Sequence, residues 1–348
     1  MFKAGVALVR VDVQAVGRNG RSVTGLTRED FLVYDENQPQ QVAYFGRESE
    51  PLDLVLLLDV SGSMHRSLAE MAAAAQTALR QLHTGDRVAV FYFARRAELT
   101  HHYTSDFRAV EEDIRAALRP RDLGGGTLLN PAILTATEYV AKYPVRGRRA
   151  VLVLTDNDGV NYQSPDEEVL RALWSADSVL NAIVVRKVRR VGAYLNPDYT
   201  PFDVHKLAAQ SGGEAVEAAR MSETFPQMIE RIRTRYSLAY NAPQAEPGSF
   251  RRIRVELAPE ARRRHPDAVL RARAGYYTPT DPPSRAATGG SGRPVPKNRR
   301  DGCMTPADSR TALPVIMEAS IRQRRTSCGS DRSSALYYLS ARRMHPSS

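Results

Sequence analysis

The sequence has few cysteines and no long apolar run, and both shortages restrict the class of protein. Of its 348 residues only two are cysteines, Cys303 and Cys328, and both lie near the C-terminus. A disulfide framework and a cysteine metal site are therefore excluded for the rest of the chain. No apolar run approaches the roughly 20 residues of a membrane-spanning helix, so we expect no membrane span. Residues 1–3 continue directly into strand-like sequence, without the pattern of a secretory signal.

The formal net charge of +10 is unevenly distributed. Residues 280–348 contain 12 Lys+Arg and only 5 Asp+Glu, so most of the excess lies there and the first 279 residues are nearly neutral. The same segment is rich in Pro, Gly, Ser and Arg, a composition typical of a disordered tail. Its arginine clusters lack the interleaved aromatic side chains that favour nucleic-acid binding. We therefore predict a disordered basic tail and no nucleic-acid partner.

Between residues 49 and 235, patterns typical of buried strands alternate with helical patterns. Leu54–Leu58 and Arg149–Thr155 are mostly apolar runs, as in strands of a sheet that is covered on both faces. Strands that alternate with helices indicate βαβ units. We therefore predict an α/β domain with a doubly wound, mainly parallel sheet of Rossmann-like type.

Strand-like segments also lie on both sides of this domain, and neither set is large enough for a stable sheet by itself. We predict that they combine into a small β domain, into which the α/β domain is inserted. The segments are Ala4–Val16, Phe31–Tyr34, Gln41–Phe45, Tyr236–Tyr240, Phe250–Leu257 and Val269–Tyr277. The predicted division is N-terminal strands 1–48, α/β domain 49–235, C-terminal strands 236–279 and tail 280–348.

The first buried strand ends in a motif with three oxygen-bearing side chains, Asp59, Ser61 and Ser63. The carboxyl ends of strands are where open α/β sheets bind ligands. Magnesium takes oxygen ligands and keeps several waters, so a few protein oxygens suffice for a site. By itself the motif is equally compatible with an ordinary loop in which a serine caps the following helix.

Asp-x-Ser-x-Ser after an apolar strand resembles the opening of the metal-ion-dependent adhesion site of von Willebrand factor type A domains. Thr127 in LGGGTLLNPAI and Asp156 in RRAVLVLTDNDG match the Thr and Asp with which that family completes the site. The flanking sequences GRSVTGLTREDFLVYDENQPQQVAYF, YSLAYN, FRRIRVELAP and RARAGYYTP resemble the bacterial VWFA-related family abundant in Acidobacteria. The resemblance covers residues 6–279.

This resemblance implies a non-enzymatic protein-binding module with a Mg²⁺ site, in which Mn²⁺ or Ca²⁺ could substitute. It implies Ser61, Ser63 and Thr127 as direct ligands, and Asp59 and Asp156 as residues that hold coordinating waters. An Asp or Glu of a protein partner would complete the coordination.

Further residues and properties are expected from the same resemblance. Gly126 gives the turn before Thr127 its backbone freedom, and Asn130 and Asp158 lie behind the ligands or at the rim. Ligand binding would shift the last helix, 222–235. Family members usually carry an export signal just upstream, so the resemblance implies an extracytoplasmic (secreted or periplasmic) protein whose Met1 is an internal start.

Three alternatives remain open at the level of sequence. The segment 156–160, DNDGV, also matches the opening motif of haloacid-dehalogenase-like phosphatases, with Asp156 as nucleophile and Asp158 as acid/base. A cytoplasmic protein of the same fold could use the same site as an assembly partner of an ATPase. Finally, the site could be vestigial and the module purely structural.

Overall fold

The computed structural model of the protein describes residues 8–47, 50–119, 121–157, 164–185 and 203–279. The predictions for Asp158 and for the tail 280–348 lie outside these residues. The strands in the described part are β1 (Leu8–Val16), β2 (Phe31–Asp35), β3 (Gln38–Gln40), β4 (Val42–Gly46), β5 (Leu52–Asp59), β6 (Arg87–Phe93), β7 (Ala97–Thr104), β8 (Arg148–Thr155), β9 (Ser178–Val185), β10 (Ala215–Ala218), β11 (Tyr236–Asn241), β12 (Phe250–Leu257), β13 (Val269–Arg271) and β14 (Gly275–Tyr277). The helices are α1 (His65–Leu79), α2 (Phe107–Ala116), α3 (Leu129–Ala141), α4 (Asp166–Ser175), α5 (Val204–Ser211), α6 (Met221–Arg233) and α7 (Pro259–Arg264).

Six strands form the central sheet in the order β10-β9-β8-β5-β6-β7. Neighbouring strands are parallel, except that β7 runs antiparallel to β6. A short turn joins β6 to β7, and a turn of this length connects only antiparallel strands. Every residue of the two central strands, β5 and β8, is buried, which explains their lack of polar alternation. The predicted mainly parallel α/β sheet is confirmed.

Helices cover both faces of this sheet. Leu54, Leu56 and Leu58 of β5 belong to a core that includes side chains of α1, α2 and α6. Val55 and Leu57, which point to the other face, pack in a second core with α3, α4 and α5. The sheet is therefore doubly wound, as predicted. No helix in the described ranges is both long and apolar enough to cross a membrane.

Strands from both ends of the described chain build two smaller sheets, β13-β1-β11-β4 and β14-β12-β2-β3. They share a third core, which includes Val11, Phe31, Leu238 and Tyr240. β1 lies antiparallel to β11, which follows α6 after only two residues. The predicted domain boundaries at 48/49 and 235/236 remain predictions.

The segment 269–277 was predicted as one strand, and this prediction was wrong. Its first part, β13, pairs with β1, whereas its last part, β14, pairs with β12 in the other small sheet. Between them the chain crosses from one sheet to the other. The crossing is fixed by Ala274, which donates its N–H to Gln210 O at 3.0 Å, and by buried Arg273, whose guanidinium reaches the carboxylate of Asp177 at 3.0 Å.

Candidate metal centre

Three segments meet at the carboxyl end of the central sheet. Val60, directly after β5, donates its backbone N–H to the carbonyl of Phe93 at 2.9 Å. Leu128, directly before α3, donates its N–H to the carbonyl of the next residue, Ala94, also at 2.9 Å. β8 lies beside β5 and ends at Thr155. The segments that carry the five predicted metal-site residues therefore converge on one edge of the sheet.

Asp59 lies at the centre of this edge with no exposed surface. Its Oδ1 accepts a hydrogen bond from the backbone N–H of Ser61, and its Oδ2 accepts one from the hydroxyl of Thr155, both at 2.9 Å. Loss of solvent, assisted by the nearby negative charge of Asp156, raises the pKa of the Asp59 carboxyl to about 6. The hydrogen bonds from Ser61 and Thr155 only partly oppose this shift.

A chain of short polar contacts connects the first motif to the end of β8. The Oγ atoms of Ser61 and Ser63 are 3.2 Å apart. The Ser63 hydroxyl donates to Oδ2 of Asp156 at 2.6 Å. Four of the five predicted residues are thus linked through contacts of Asp59 with Ser61, Ser61 with Ser63, and Ser63 with Asp156.

The turn that carries Thr127 depends on glycine. Gly124 and Gly126 have φ angles of +81° and +90°, in the left-handed region that favours glycine. A hydrogen bond of 3.2 Å from the backbone N–H of Arg96 to the carbonyl of Leu123 fixes the start of the turn. Thr127 is 5% exposed and lies between this turn and α3. Backbone contacts at both ends therefore fix the turn beside the end of β6.

Asn130 was predicted at the rim or behind the ligands, and it is completely buried in the first turn of α3. Its amide nitrogen donates to the carbonyl of Ser164 at 2.9 Å and to Oδ1 of Asp166 at 3.0 Å. It therefore ties α3 to the start of α4. Asp158, the other predicted rim residue, lies outside the described residues.

Sequence reasoning missed two residues that shape this edge, Thr155 and Asn157. The Thr155 hydroxyl donates to Asp59 and accepts the backbone N–H of Asn157 at 3.1 Å. Asn157 has a φ of +53°, so the backbone turns sharply just after Asp156. A hydroxyl residue immediately before the second aspartate was the available signal for Thr155.

The donors gathered at this edge fit a hard divalent cation. They are hydroxyl and carboxylate oxygens, and Mg²⁺ binds through a few such oxygens together with water. No group of three or more His, Cys, Asp or Glu side chains that could hold a metal ion occurs among the described residues, so hydroxyl oxygens would have to supply part of the coordination here. All described partners of the buried Asp59 carboxylate are neutral groups. Buried charges in proteins are normally paired or bound to metal, so the chemistry of this site would suit a cation.

Comparison with known proteins agrees with this architecture. Residues 54–159 match the family model described as the von Willebrand factor type A (VWA) domain. This part of the chain is a VWA domain. The predicted family is confirmed for these residues, whereas the narrower resemblance to the Acidobacteria-type proteins and the metal site remain predictions.

Solved structures that resemble the chain share little sequence with it. An aerotolerance-related membrane protein from Bacteroides fragilis NCTC 9343, carrying multiple mutations to serines, is 16% identical, and the likeness covers 52% of this chain and 98% of that one with a TM-score of 0.42. BatB from Bacteroides thetaiotaomicron is 18% identical over 52% of this chain and 97% of that one, with a TM-score of 0.40. A von Willebrand factor type A protein from Catenulispora acidiphila is 13% identical over 80% and 76%, with a TM-score of 0.41. No curated protein matches the chain.

Proposed function

We propose that the VWA domain binds Mg²⁺ at the carboxyl end of its sheet and, through it, a carboxylate of a protein partner. Ser61, Ser63 and Thr127 supply hydroxyl ligands, and Asp59 and Asp156 hold coordinating waters. The bound cation supplies an electrophilic position that an acidic side chain from outside can occupy. The protein is then a metal-dependent interaction module.

The observation that carries this proposal is the environment of Asp59. Its carboxylate is fully buried, and its described contacts are with a backbone N–H and a hydroxyl. A second carboxylate, that of Asp156, is close enough to raise the pKa of Asp59. Two ionised carboxylates held together away from solvent destabilise the folded protein, because they lose hydration and repel each other. A bound divalent cation would offset this destabilisation.

Binding accounts for the site better than catalysis. VWA domains generally serve as protein-interaction modules without enzymatic activity, and the domain here covers the proposed site. Neutral hydroxyl ligands leave most of the positive charge of the cation available to an incoming anion. This mechanism requires no nucleophile and no general base.

The proposal includes an extracytoplasmic location, because an adhesion-type site is of use where it meets proteins from outside the cell. Fractionation of the native host cells followed by immunoblotting tests this part separately. A protein found only in the cytoplasmic fraction would instead favour an assembly role inside the cell.

The experiment that tests the metal site is calorimetric titration of Mg²⁺ and Mn²⁺ into the full chain and two threonine variants. Thr127→Val removes one proposed ligand and keeps the shape of the side chain. Thr135→Val is the matched control, since Thr135 is exposed on α3 and its hydroxyl only donates to the carbonyl of Pro131. We expect the control to bind metal like the wild type and Thr127→Val to lose binding at least 10-fold.

Two further variants separate the metal site from the phosphatase alternative. Asp59→Ala should abolish metal binding, whereas Asp158→Ala should retain it. Metal binding that survives Asp59→Ala and Thr127→Val but disappears with Asp158→Ala would contradict the proposal, and phosphatase assays would then follow.

A further inference from the structure

Two arginines lie next to the proposed metal site without a carboxylate partner. Arg95 and Arg96, with Ala94, form the turn between β6 and β7, here called the arginine turn. This turn is at the same end of the sheet as Asp59, since β5 and β6 are parallel and in register there. Both arginine side chains are exposed. In the described part of the chain neither guanidinium contacts a carboxylate, and that of Arg96 donates to the backbone carbonyl of Asp122 at 2.9 Å.

The arginine turn is attached directly to the turn that carries Thr127. The N–H of Arg96 donates to the carbonyl of Leu123, and the carbonyl of Ala94 accepts the N–H of Leu128. A Cβ built on Gly124 would lie 3.0 Å from Cβ of Arg95, so the Arg95 side chain begins in contact with the backbone of this turn. The backbone that carries the two arginines is therefore held at a fixed place relative to a proposed metal ligand.

Neighbouring arginines at this end of the sheet are already engaged. Arg121 pairs with Glu98 at 3.8 Å and lies over the ring of Tyr92 at 4.5 Å. Arg66, in the first turn of α1, pairs with Glu70 at 3.7 Å. The arginine turn differs from both because neither of its guanidinium groups has a carboxylate partner among the described residues.

We infer that the partner presents an acidic segment with at least two carboxylates, one for the metal and one for the arginine turn. This inference rests on the proposed function and specifies the partner of the same site. Guanidinium groups bind carboxylates through paired, charge-assisted hydrogen bonds. Exposed charges beside a binding site speed association and select among partners. A protein with a single acidic side chain at the contact would leave both guanidinium groups without a partner.

The test is a selection of displayed random 12-residue peptides on the full chain, performed in Mg²⁺ and in EDTA. The wild type is compared with the double variant Arg95→Gln/Arg96→Gln. The matched control, Arg80→Gln/Arg108→Gln, removes the same charge from two exposed arginines at the opposite end of the sheet. We expect the wild type and the control to enrich Mg²⁺-dependent peptides with two acidic residues close together, and the arginine-turn variant to enrich peptides with one.

Fluorescence anisotropy of an enriched peptide then measures the coupling between its second acidic residue and the arginine turn. Replacing that residue by Gln or Asn, or replacing both arginines, should each weaken binding by roughly 2- to 30-fold, the range for two exposed ion pairs. Both changes together should cost no more than either alone. Additive losses would overturn the inference.

Two other outcomes would also overturn it. One is the enrichment of peptides with a single acidic residue by the wild type, and the other is the absence of any Mg²⁺-dependent peptide. Calorimetric titration of Mg²⁺ into the arginine-turn variant distinguishes this failure from failure of the proposed function. If the arginine-turn variant binds Mg²⁺ like the wild type, the proposed metal site stands and only the inference about the partner fails. If the wild type itself does not bind Mg²⁺, both the proposed function and this inference fail.

Discussion

At the amino end of the central sheet buried acidic side chains are paired with arginines, whereas the buried carboxylate of Asp59 at the carboxyl end has no basic partner among the described residues. Asp86, directly before β6, pairs with Arg233 of α6 at 2.8 Å, and both side chains are buried. Asp53, in β5, pairs with Arg87 through two contacts of 2.9 Å and 2.7 Å. At the carboxyl end, by contrast, the buried Asp59 has no basic partner among the described residues, and the arginine turn has no acidic one.

The amino end also uses charged groups to hold the backbone. The guanidinium of Arg148 donates to the carbonyls of Arg233 and Arg235 at 2.6 Å and 3.0 Å. These residues end α6 and lead into β11, so the contact joins the central sheet to the small sheets. This comparison indicates that the amino end, with its buried ion pairs, stabilises the fold, whereas the carboxyl end is available for ligands. Four predictions test this difference between the two ends.

The largest decrease in unfolding free energy is expected at the amino end, from Asp86→Ala. The change leaves the buried Arg233 without its carboxylate and removes the acceptor of the backbone N–H groups of Leu52 and His83. Breaking a buried ion pair in this way costs about 3–5 kcal/mol of unfolding free energy. Urea denaturation followed by circular dichroism measures it, with exposed Glu138→Ala as the control. A loss below about 1 kcal/mol would mean that this end does not stabilise the fold as described.

The second prediction is that Asp59→Asn stabilises the metal-free protein above pH 6. Because the pKa of Asp59 is raised from 3.8 to about 6, the folded state holds a proton that the unfolded state has lost between pH 4 and 6. Wild-type stability should therefore fall as the pH rises through this window, by up to about 3 kcal/mol. Asn cannot ionise, so the variant lacks this fall and the metal binding. Denaturation of both proteins in EDTA at pH 4 and pH 8 measures the fall in unfolding free energy, and equal pH dependence of the two proteins would contradict the prediction.

A pair of glycine substitutions compares the two ends directly. Gly85, at the amino end, and Gly124, at the carboxyl end, have φ angles of +97° and +81°. Alanine at either position should lower the unfolding free energy by about 1–2 kcal/mol, because a residue with a Cβ is strained in the left-handed backbone conformation. A Cβ on Gly85 meets no atom within 4 Å, whereas one on Gly124 meets Arg95. Only Gly124→Ala should therefore weaken Mg²⁺ binding, measured by calorimetry, and equal metal affinity in the two variants would contradict this expectation.

The smallest effect on stability is expected from Ser61→Ala. Ser61 is partly exposed, and its hydroxyl lies 3.2 Å from that of Ser63. The unfolding free energy should change by less than about 0.5 kcal/mol. The increase in melting temperature on addition of Mg²⁺ should nevertheless disappear. A thermal shift that persists in this variant would show that Ser61 is not a ligand.

Much of the central domain was predictable because buried parallel strands have a distinctive sequence. The apolar runs that became β5 and β8 identified the middle of the sheet. The edge strand β7 was not recognised, since the sequence AELTHHYT mixes polar and apolar residues at a half-exposed position. The predicted strand 269–277 failed because strand patterns contain no information about which sheet a residue joins.

The candidate metal site was likewise predictable from the sequence only in part. The spacing of Asp59, Ser61 and Ser63 and the resemblance to a known family identified the residues from the sequence alone. The support from Thr155, the buried position of Asn130 and the contact between the arginine turn and Gly124 depend on segments far apart in the chain. Such contacts are decided by the order of strands in the sheet, which local sequence does not encode.

The sequence by itself determined the type of fold, the covered sheet and the residue types at its carboxyl end, because hydrophobic periodicity and motif spacing act over a few residues. The tertiary structure alone decided which charges are paired. It placed Asp86 against Arg233 and left Asp59 buried with neutral partners, since burial and pairing depend on helices and strands that meet only after folding.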